Sequence, residues 1–396
     1  MSSLATVVVN GRAARRLRQG HVWIFDSDVR DTDDAKAGDV VRVATRHKSG
    51  GVNELGIAFF NPDSMIRLRL IDRKVCKPDR DFWRHRLLSA LSFRKTLANQ
   101  DSLDDVGRMV FSEADGIPGL IVDKYAKVLV IQTLSAGADR LLPMWLELLD
   151  EMLSPDAIVE RNDTHSRKLE GLDVRSQVVS GKLDVPVLVH DGGLEFEVNP
   201  LLGQKTGYFL DQRENRLRAA EYAVGRCLDV FCYQGGFGLQ LARGGADEVV
   251  LVDQSARSLQ MAQNAADRNS LKVRTEVANA FDFLRDQQVD GEKYDVVVLD
   301  PPAFAKNKNS IERASRGYKE INLRALKLLN PGGVLITSSC SYHMSEEHFG
   351  QILLSAGMDA GRTLQVLERR SQARDHPVRL GFPESHYLKC YVARAL

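Results

Sequence analysis

Apolar and polar positions change their period along this 396-residue chain and divide it into three stretches. Residues 1–75 alternate in short runs: Thr6–Val9, Val40–Ala44, Leu55–Phe60 and Met65–Ile71. The turn formers Ala37-Gly38-Asp39 and Asn61-Pro62-Asp63 separate these runs, which predicts a small β-barrel with one basic helix near residues 11–19. Residues 76–185 open on the helical spacing of Phe82, Leu87, Leu88, Leu91, Phe93 and Leu97. Strand-like Leu120–Asp123 and Val128–Leu134 follow, then a helix around residues 138–153, so this is a middle α+β domain. Residues 186–396 alternate apolar strands with helices, the pattern of a doubly wound α/β sheet.

Composition narrows the class. The chain is 43% hydrophobic and 27% charged, ordinary for globular protein. No apolar run approaches the roughly 18 residues that span a bilayer, and Met1-Ser2-Ser3-Leu4 lacks a signal peptide's charged and apolar regions. The expectation is a cytoplasmic protein that does not engage a membrane. Cys76, Cys227, Cys232, Cys340 and Cys390 show no zinc spacing, so free thiols and no metal are expected. Net charge is +1, from 54 Lys and Arg against 53 Asp and Glu, but its distribution is uneven. Arg12, Arg15, Arg16 and Arg18 cluster within seven residues, and residues 62–95 hold ten Lys or Arg against four Asp. A basic patch on a neutral body suits phosphate contact, though an Arg-rich helix is often only a solvated face.

Two segments carry candidate chemistry. Leu299-Asp300-Pro301-Pro302-Ala303-Phe304 follows the apolar run Tyr294–Leu299. Thr337-Ser338-Ser339-Cys340-Ser341 follows Gly333–Ile336. Open α/β sheets hold ligands beyond the carboxyl ends of their strands. An acid and a thiol are thus expected beside one crevice, a pairing that suggests covalent chemistry on a base.

The cofactor side of that crevice is read from three strand ends. The buried run Cys227-Leu228-Asp229-Val230-Phe231 leads into Cys232-Tyr233-Gln234-Gly235-Gly236-Phe237-Gly238 and a helix from about Leu239. Glycines at such a turn let the backbone approach a ligand closely. The next strand, Glu248–Val252, ends in Asp253, 24 residues beyond Asp229, near the spacing at which an acid meets ribose hydroxyls. The loop lacks G-x-G-x-x-G, so S-adenosylmethionine, which has a ribose and no phosphate, fits better than a dinucleotide. A third strand ending near Val277 puts Asn279 and Ala280 beside the adenine, where Asn279 either bonds the base edge or caps the next helix. The cofactor set is Asp229, Phe231, Gly235, Gly236, Phe237, Asp253, Gln254, Asn279, Ala280 and Asp300. The stretch Gly203-Gln204-Lys205-Thr206-Gly207-Tyr208-Phe209-Leu210-Asp211-Gln212-Arg213 is suited to lid it, through Tyr208, Phe209, Asp211 and Arg213.

These residues together resemble the bacterial 23S rRNA 5-methylcytosine methyltransferases of the large-subunit methyltransferase I family. The resemblance runs nearly the whole chain. It is carried by Gly207-Tyr208-Phe209-Leu210-Asp211-Gln212-Arg213, by Glu113-Ala114-Asp115-Gly116-Ile117-Pro118-Gly119-Leu120, and by Arg316-Gly317-Tyr318-Lys319-Glu320-Ile321-Asn322. It implies a PUA-like RNA-binding domain over residues 1–75, the family's α+β domain over 76–185, and a class I, Rossmann-like methyltransferase domain over 186–396 with a reversed final hairpin ending in His386–Ala393. It implies 23S rRNA as partner, a role in rRNA processing, and leaves a homodimer open. Two positions depart from relatives: Asn279 stands where Asp is usual, and Ala303 where some RNA cytosine methyltransferases carry a second cysteine.

Cytosine carbon 5 is a poor nucleophile, and a thiolate adding at carbon 6 activates it. Cys340 is the expected nucleophile. Asp300 is expected at the exocyclic amine and N3, with Pro301 and Pro302 fixing the backbone and Phe304 stacking on the base. Asp300, a water and His343 are all open as the proton acceptor. Arg316 and Tyr318 join Arg12, Arg15 and Arg16 as RNA contacts, although Tyr318 reads equally as a packed helix aromatic. Lys306 and Lys308, just past the motif, suit phosphates or solvent. Two other readings stand beside this one: methylation of an exocyclic amine, which needs no thiol, and a non-catalytic RNA-binding or ribosome-assembly protein.

Overall fold

The computed structural model describes residues 4–46, 51–101, 105–305 and 310–396. The chain forms two compact units: residues 1–191, 198–210 and 374–385 make the first, and 192–197, 211–373 and 386–396 the second.

The first unit contains two sheets. One is formed by β1 (Thr6–Val9), β2 (Trp23–Ile24), β3 (Val29–Asp31), β4 (Val40–Arg46), β5 (Val52–Phe60) and β6 (Leu68–Asp72), in the order β2-β6-β5-β4-β1-β3. The basic segment of the N-terminus is α1 (Gly11–Arg18), started by the Asn10 side chain accepting from the Ala13 amide at 2.9 Å. Its Ala13, Ala14 and Leu17 are buried, which leaves the arginines outward. The long helix α2 (Arg80–Asp101) precedes the second sheet. That sheet contains β7 (Val106–Phe111), β8 (Leu120–Tyr125), β9 (Val128–Thr133), β10 (Ala157–Asn162) and β11 (Arg175–Gly181), in the order β11-β10-β9-β8-β7. Helices α3 (Ala136–Arg140) and α4 (Leu142–Leu153) replace the single helix expected around 138–153, with Leu141 and Pro143 at the break. The short helix α5 (His165–Leu169) and β12 (Val187–Asp191) complete the unit. Trp83, Trp145, Leu87, Val110 and Ile131 form one core cluster in it.

The basic run of residues 62–95 is not a single solvated face. Arg69 lies half-buried between Glu113 at 2.7 Å and Glu170 at 2.9 Å, and Arg94 is buried against Asp115 at 2.7 Å. Arg67 pairs with Asp26, Arg80 with Glu151 and Arg86 with Asp72. Much of this charge is neutralised within the unit, because a buried guanidinium is tolerated only with carboxylates around it.

After β13 (Leu194–Val198) and α6 (Arg213–Ala220), the second unit builds a seven-stranded sheet. Its elements in chain order are β14 (Arg226–Val230), α7 (Gly236–Arg243), β15 (Glu248–Asp253), α8 (Ala256–Arg268), β16 (Arg274–Val277), α9 (Ala280–Val289), β17 (Tyr294–Leu299), α10 (Ile311–Leu328), β18 (Leu329–Ser339), α11 (Glu346–Ala360), β19 (Leu364–Arg370) and β20 (Lys389–Ala395). The strand order is β16-β15-β14-β17-β18-β20-β19. All pairings are parallel except those of β20, which runs antiparallel to both β18 and β19. The reversed final hairpin is therefore present, with its last strand at Lys389–Ala395 rather than His386–Ala393. The Val and Leu runs of β14, β15 and β17 are buried because helices cover both faces, as parallel sheets require. The chain winds outward from β14 through β15 to β16 and returns to β17 beside β14. That reversal opens a crevice at the carboxyl ends of β14 and β17.

Candidate active site

The turn after β14 is held open by its backbone. Phe231, Tyr233 and Gly235 have φ of 65°, 52° and 76°. Two aromatic residues in the left-handed region cost on the order of 1–3 kcal/mol each, strain that persists only where surrounding structure enforces it. Here the Cys232 amide donates to the Val252 carbonyl at 3.1 Å, and the Tyr233 amide to Asp253 Oδ2 at 3.0 Å. A Cβ added at Gly236 would meet Arg216 Nε at 2.6 Å, and one at Gly238 would meet Leu251 Cδ2 at 2.1 Å. The loop is thus glycine because its backbone lies hard against neighbouring side chains as well as because of φ.

Asp229 sits under this loop, 1% exposed. Its Oδ2 accepts from the Gly238 amide at 2.8 Å, while Oδ1 has no hydrogen-bond partner among the described residues. Burial pushes its carboxyl up to about 8, against the Gly238 amide, with Asp300 adding to the rise. An orphaned buried carboxylate oxygen calls for a donor from a ligand, and the α-ammonium of S-adenosylmethionine is such a donor. Asp253, at the end of β15, is half-buried and fixed by two backbone amides, Tyr233 to Oδ2 and Ser255 to Oδ1 at 2.9 Å. Its fixed carboxylate suits ribose hydroxyls. Gln254 beside it is exposed.

Asn279 is the N-cap of α9: its Oδ1 accepts from Phe281 N at 2.9 Å. The side chain is exposed, so its amide nitrogen still faces outward beside buried Ala280. Phe237 is only 4% exposed and packs with Leu241, Val249 and Leu259, so the side chain belongs to the core and the backbone alone lines the loop. Phe231 packs on the other core cluster of the sheet.

The segments that carry the acid and the thiol follow neighbouring strands. Leu299 of β17 is in register with Thr337 of β18, so the segments after both strands leave the sheet side by side. Cys340 is half-buried, and its thiol lies 3.9 Å from the Pro301 carbonyl. Asp300 is half-buried, with Oδ1 accepting from Gln212 Nε2 at 2.8 Å. Gln212 is itself set by Asn215, whose amide donates to Gln212 Oε1 at 2.6 Å. Pro301 is buried and Pro302 exposed.

Ser341 is the knot of the thiol loop. Its Oγ accepts from the Ala305 amide at 3.1 Å and bonds the Tyr318 hydroxyl at 3.0 Å. Its carbonyl accepts from Lys389 Nζ at 2.7 Å and from the Met344 amide at 3.0 Å.

Tyr318 is fully buried, and burial raises its hydroxyl above the usual tyrosine value. Its place is support of the Ser341 turn, which corrects the expectation of a direct RNA contact. Phe304 packs on Tyr318, ring centroids 4.7 Å apart, and against Gly317. One face of its ring is therefore taken by protein. Arg316, on the same helix, is exposed, and His343 is half-buried next to the Tyr342 ring. Lys306 and Lys308 lie outside the described residues.

Within the first unit, Tyr208 is buried and donates to Asp191 Oδ2 at 3.2 Å, and Lys205 lies 4.6 Å from the Phe209 ring centre. Within the second unit, Asp211 accepts from the Tyr387 hydroxyl at 2.8 Å, and Arg213 is buried. In α1, Arg12 pairs with Asp28 at 2.7 Å and Arg16 with the same carboxylate at 3.6 Å, while Arg15 is exposed. Among the described residues no group of three or more His, Cys, Asp or Glu gathers as a metal site, and no helix is long and apolar enough to cross a membrane.

Gln212, Arg216, Ser341 and Lys389 were missed as site residues by sequence reasoning. Gln212 lies 88 residues from Asp300, and Lys389 48 from Ser341. The one available signal was Lys389 itself, a lysine opening a strand whose next four residues are apolar.

A switch-point crevice with an orphaned acid, a close-packed glycine loop and a ribose-type acid defines a class I S-adenosylmethionine-dependent methyltransferase. A methyltransferase-domain profile matches residues 224–368 and a PUA-like domain profile residues 7–73. The "Ribosomal RNA large subunit methyltransferase I" of Shewanella frigidimarina is 40% identical over 393 residues, covering 96% of each chain. That of Tolumonas auensis is 39% identical over 399 residues, covering 99% of each. A protein described as a SAM-dependent methyltransferase from Streptococcus mutans shares the fold at TM-score 0.83 and 20% identity, over 98% of this chain and 99% of that one. A methyltransferase solved with SAH bound matches equally, at TM-score 0.83 and 20% identity over the same 98% and 99%. The chain belongs to the ribosomal RNA large subunit methyltransferase I family.

Proposed function

We propose that this enzyme forms 5-methylcytosine in 23S rRNA through a covalent bond between Cys340 and cytosine carbon 6. The observation that carries the reading is the thiol of Cys340 at 3.9 Å from the Pro301 carbonyl, with Asp300 next to it at the mouth of the cofactor crevice. The relatives' name supports ribosomal RNA as substrate, and the matched PUA-like segment supports RNA contact through the N-terminal part of the chain. In this reading residues 1–75 and 76–185 grip RNA, residues 186–396 carry the chemistry, and the protein works in the cytoplasm.

Asp229, Asp253, Gln254, Asn279 and the backbone of Gly235–Gly238 would hold S-adenosylmethionine, which supplies an electrophilic sulfonium methyl when bound. Cys340 Sγ, as thiolate, adds to carbon 6 and breaks the 5,6 double bond, moving its electron pair toward carbon 5. Asp300, oriented by Gln212, accepts from the N4 amine and, in its protonated form, donates to N3 and stabilises the negative charge that develops there. Once carbon 5 carries the methyl, a base drawn from Asp300, a water or His343 takes its remaining proton, and that electron pair restores the double bond as the carbon–sulfur bond breaks and the thiolate leaves. Exposed Pro302 and half-buried Phe304 form the wall against which the extruded base rests.

The test is transfer of labelled methyl to unmodified 23S rRNA with nucleoside analysis, wild type beside Cys340→Ala. The expected outcome is 5-methylcytidine from wild type and none from Cys340→Ala. Equal product from both proteins would overturn the covalent scheme and favour methylation of an exocyclic amine. Failure of the wild type to bind S-adenosylmethionine would leave a non-catalytic RNA-binding protein.

A further inference from the structure

Lys389 opens β20, and its side chain is 3% exposed in a strand otherwise made of apolar residues and Arg394. Burying an ammonium is expensive unless it is paired. Two of its hydrogen bonds go to carbonyls, Ser341 at 2.7 Å and Tyr387 at 2.9 Å. Among the described residues no carboxylate lies within salt-bridge distance of it. Its place relative to the thiol is fixed twice. Lys389 is the antiparallel partner of Ser339, the residue before Cys340, and its Nζ holds the carbonyl of Ser341, the residue after. The cation therefore straddles the Cys340 backbone.

We propose that Lys389 is the positioning residue of the Cys340 nucleophile: its ammonium pins the loop that carries the thiol and is the counter-ion of the thiolate. The proposal rests on the reading of Cys340 as nucleophile. A cation beside a cysteine favours the thiolate over the thiol, and a negative sulfur is what this otherwise uncompensated cation lacks. Burial pushes the Lys389 ammonium down to about 8, and Cys340 is the foremost group acting against that fall, ahead of Glu346. Other ionisable groups around the thiol loop are Tyr318 of α10, Asp300 after β17, Glu346 at the start of α11, and His343 in the loop itself; the same helices and the neighbouring β19 also carry Arg316, Lys319, His348, Arg369 and Arg370. Tyr318 is kept in its neutral form by burial.

The decisive measurement is the rate of iodoacetamide alkylation at Cys340 from pH 6 to pH 10, followed by peptide mass spectrometry on the full chain. SAH binding serves as the check of folding. In Lys389→Met the midpoint for alkylation is expected to rise by about one pH unit or more, and methyl transfer to fall at least about tenfold in kcat with the RNA KM little changed. Lys389→Arg keeps a cation and is expected to retain the wild-type alkylation midpoint. It should also remove any fall in wild-type transfer above about pH 8 that comes from Lys389 losing its proton. An unchanged midpoint in SAH-binding Lys389→Met overturns the proposal. If Lys389→Met does not fold, the arginine variant decides: an alkaline fall identical to wild type overturns it. Alkylation does not depend on methyl transfer, so failure here is distinct from activity persisting in Cys340→Ala, which would sink the nucleophile itself.

Discussion

In the proposed reading, Asp229 is kept for binding S-adenosylmethionine at a cost to the fold's stability. Its carboxyl, raised to about 8 chiefly by burial, binds a proton more tightly in the folded chain than in the unfolded one. The stability it contributes is therefore fully present below the ordinary carboxylate value near 4 and is lost as pH rises toward 8. Asp229→Asn keeps the Gly238 amide supplied with an acceptor and removes the ionisation. It is expected to raise Tm at pH 8 relative to wild type and to leave Tm unchanged near pH 4, read by scanning calorimetry across that range. SAH affinity, measured by titration calorimetry at pH 7.5, should fall at least about tenfold, the size expected for losing a charge-assisted bond of about 1.5–3 kcal/mol. Retained affinity would show that the orphaned Oδ1 serves only the fold. Asp300 contrasts with this case, because Gln212 already occupies one of its oxygens. Asp300→Ala is expected to cut kcat by roughly 10²–10³ while 23S rRNA binding persists, which is the range for removing one charge-stabilising partner of the reacting group.

Among the elements, α10 supports the candidate site through a buried side chain. Tyr318 reaches from it to Ser341 Oγ and holds the loop of Cys340 from below, while Lys389 holds the same loop from β20. Tyr318→Phe leaves the ring packing against Phe304 and Phe349 intact and deletes the hydroxyl's hydrogen bond to Ser341. A loss of about 1 kcal/mol in urea unfolding is expected, together with a lower kcat at unchanged SAH affinity. A variant as active as wild type would mean that the loop needs no support from α10. The glycine turn before α7 acts in the same indirect way. Gly235→Ala must hold φ near 76° with a Cβ 3.1 Å from Leu251. It is expected to cost about 1–2 kcal/mol from backbone strain alone.

At the scale of the whole molecule, a net charge of +1 means that RNA affinity cannot come from a general cationic field. It must come from local patches, and the ion pairs of Arg69 and Arg94 remove two cations from the pool that composition suggests. Binding to 23S rRNA fragments is expected to weaken linearly in log–log form with salt, with a shallow slope, and Arg15→Ala to reduce that slope by about one. A salt-independent affinity would contradict a phosphate-based footprint. The sheet, its strand ends and the acids on them were legible in the sequence, because buried parallel strands are written as contiguous Val and Leu runs and the residues after them must reach the crevice. Asp229, Asp253, Asp300 and Cys340 could be placed on that basis alone. What the linear pattern could not contain is which distant side chains complete the site. Gln212 orients Asp300, Ser341 ties two elements together, and Lys389 brings a cation to the thiol, each across 36 to 88 residues of chain. Such contacts arise only when β20 reverses beside β18 and α6 packs at the mouth of the sheet. The same packing placed the Tyr318, Phe237 and Arg94 side chains in the interior. Local periodicity determines which residues enter strands and helices, but the side chains that share a site are chosen by which strand ends become neighbours.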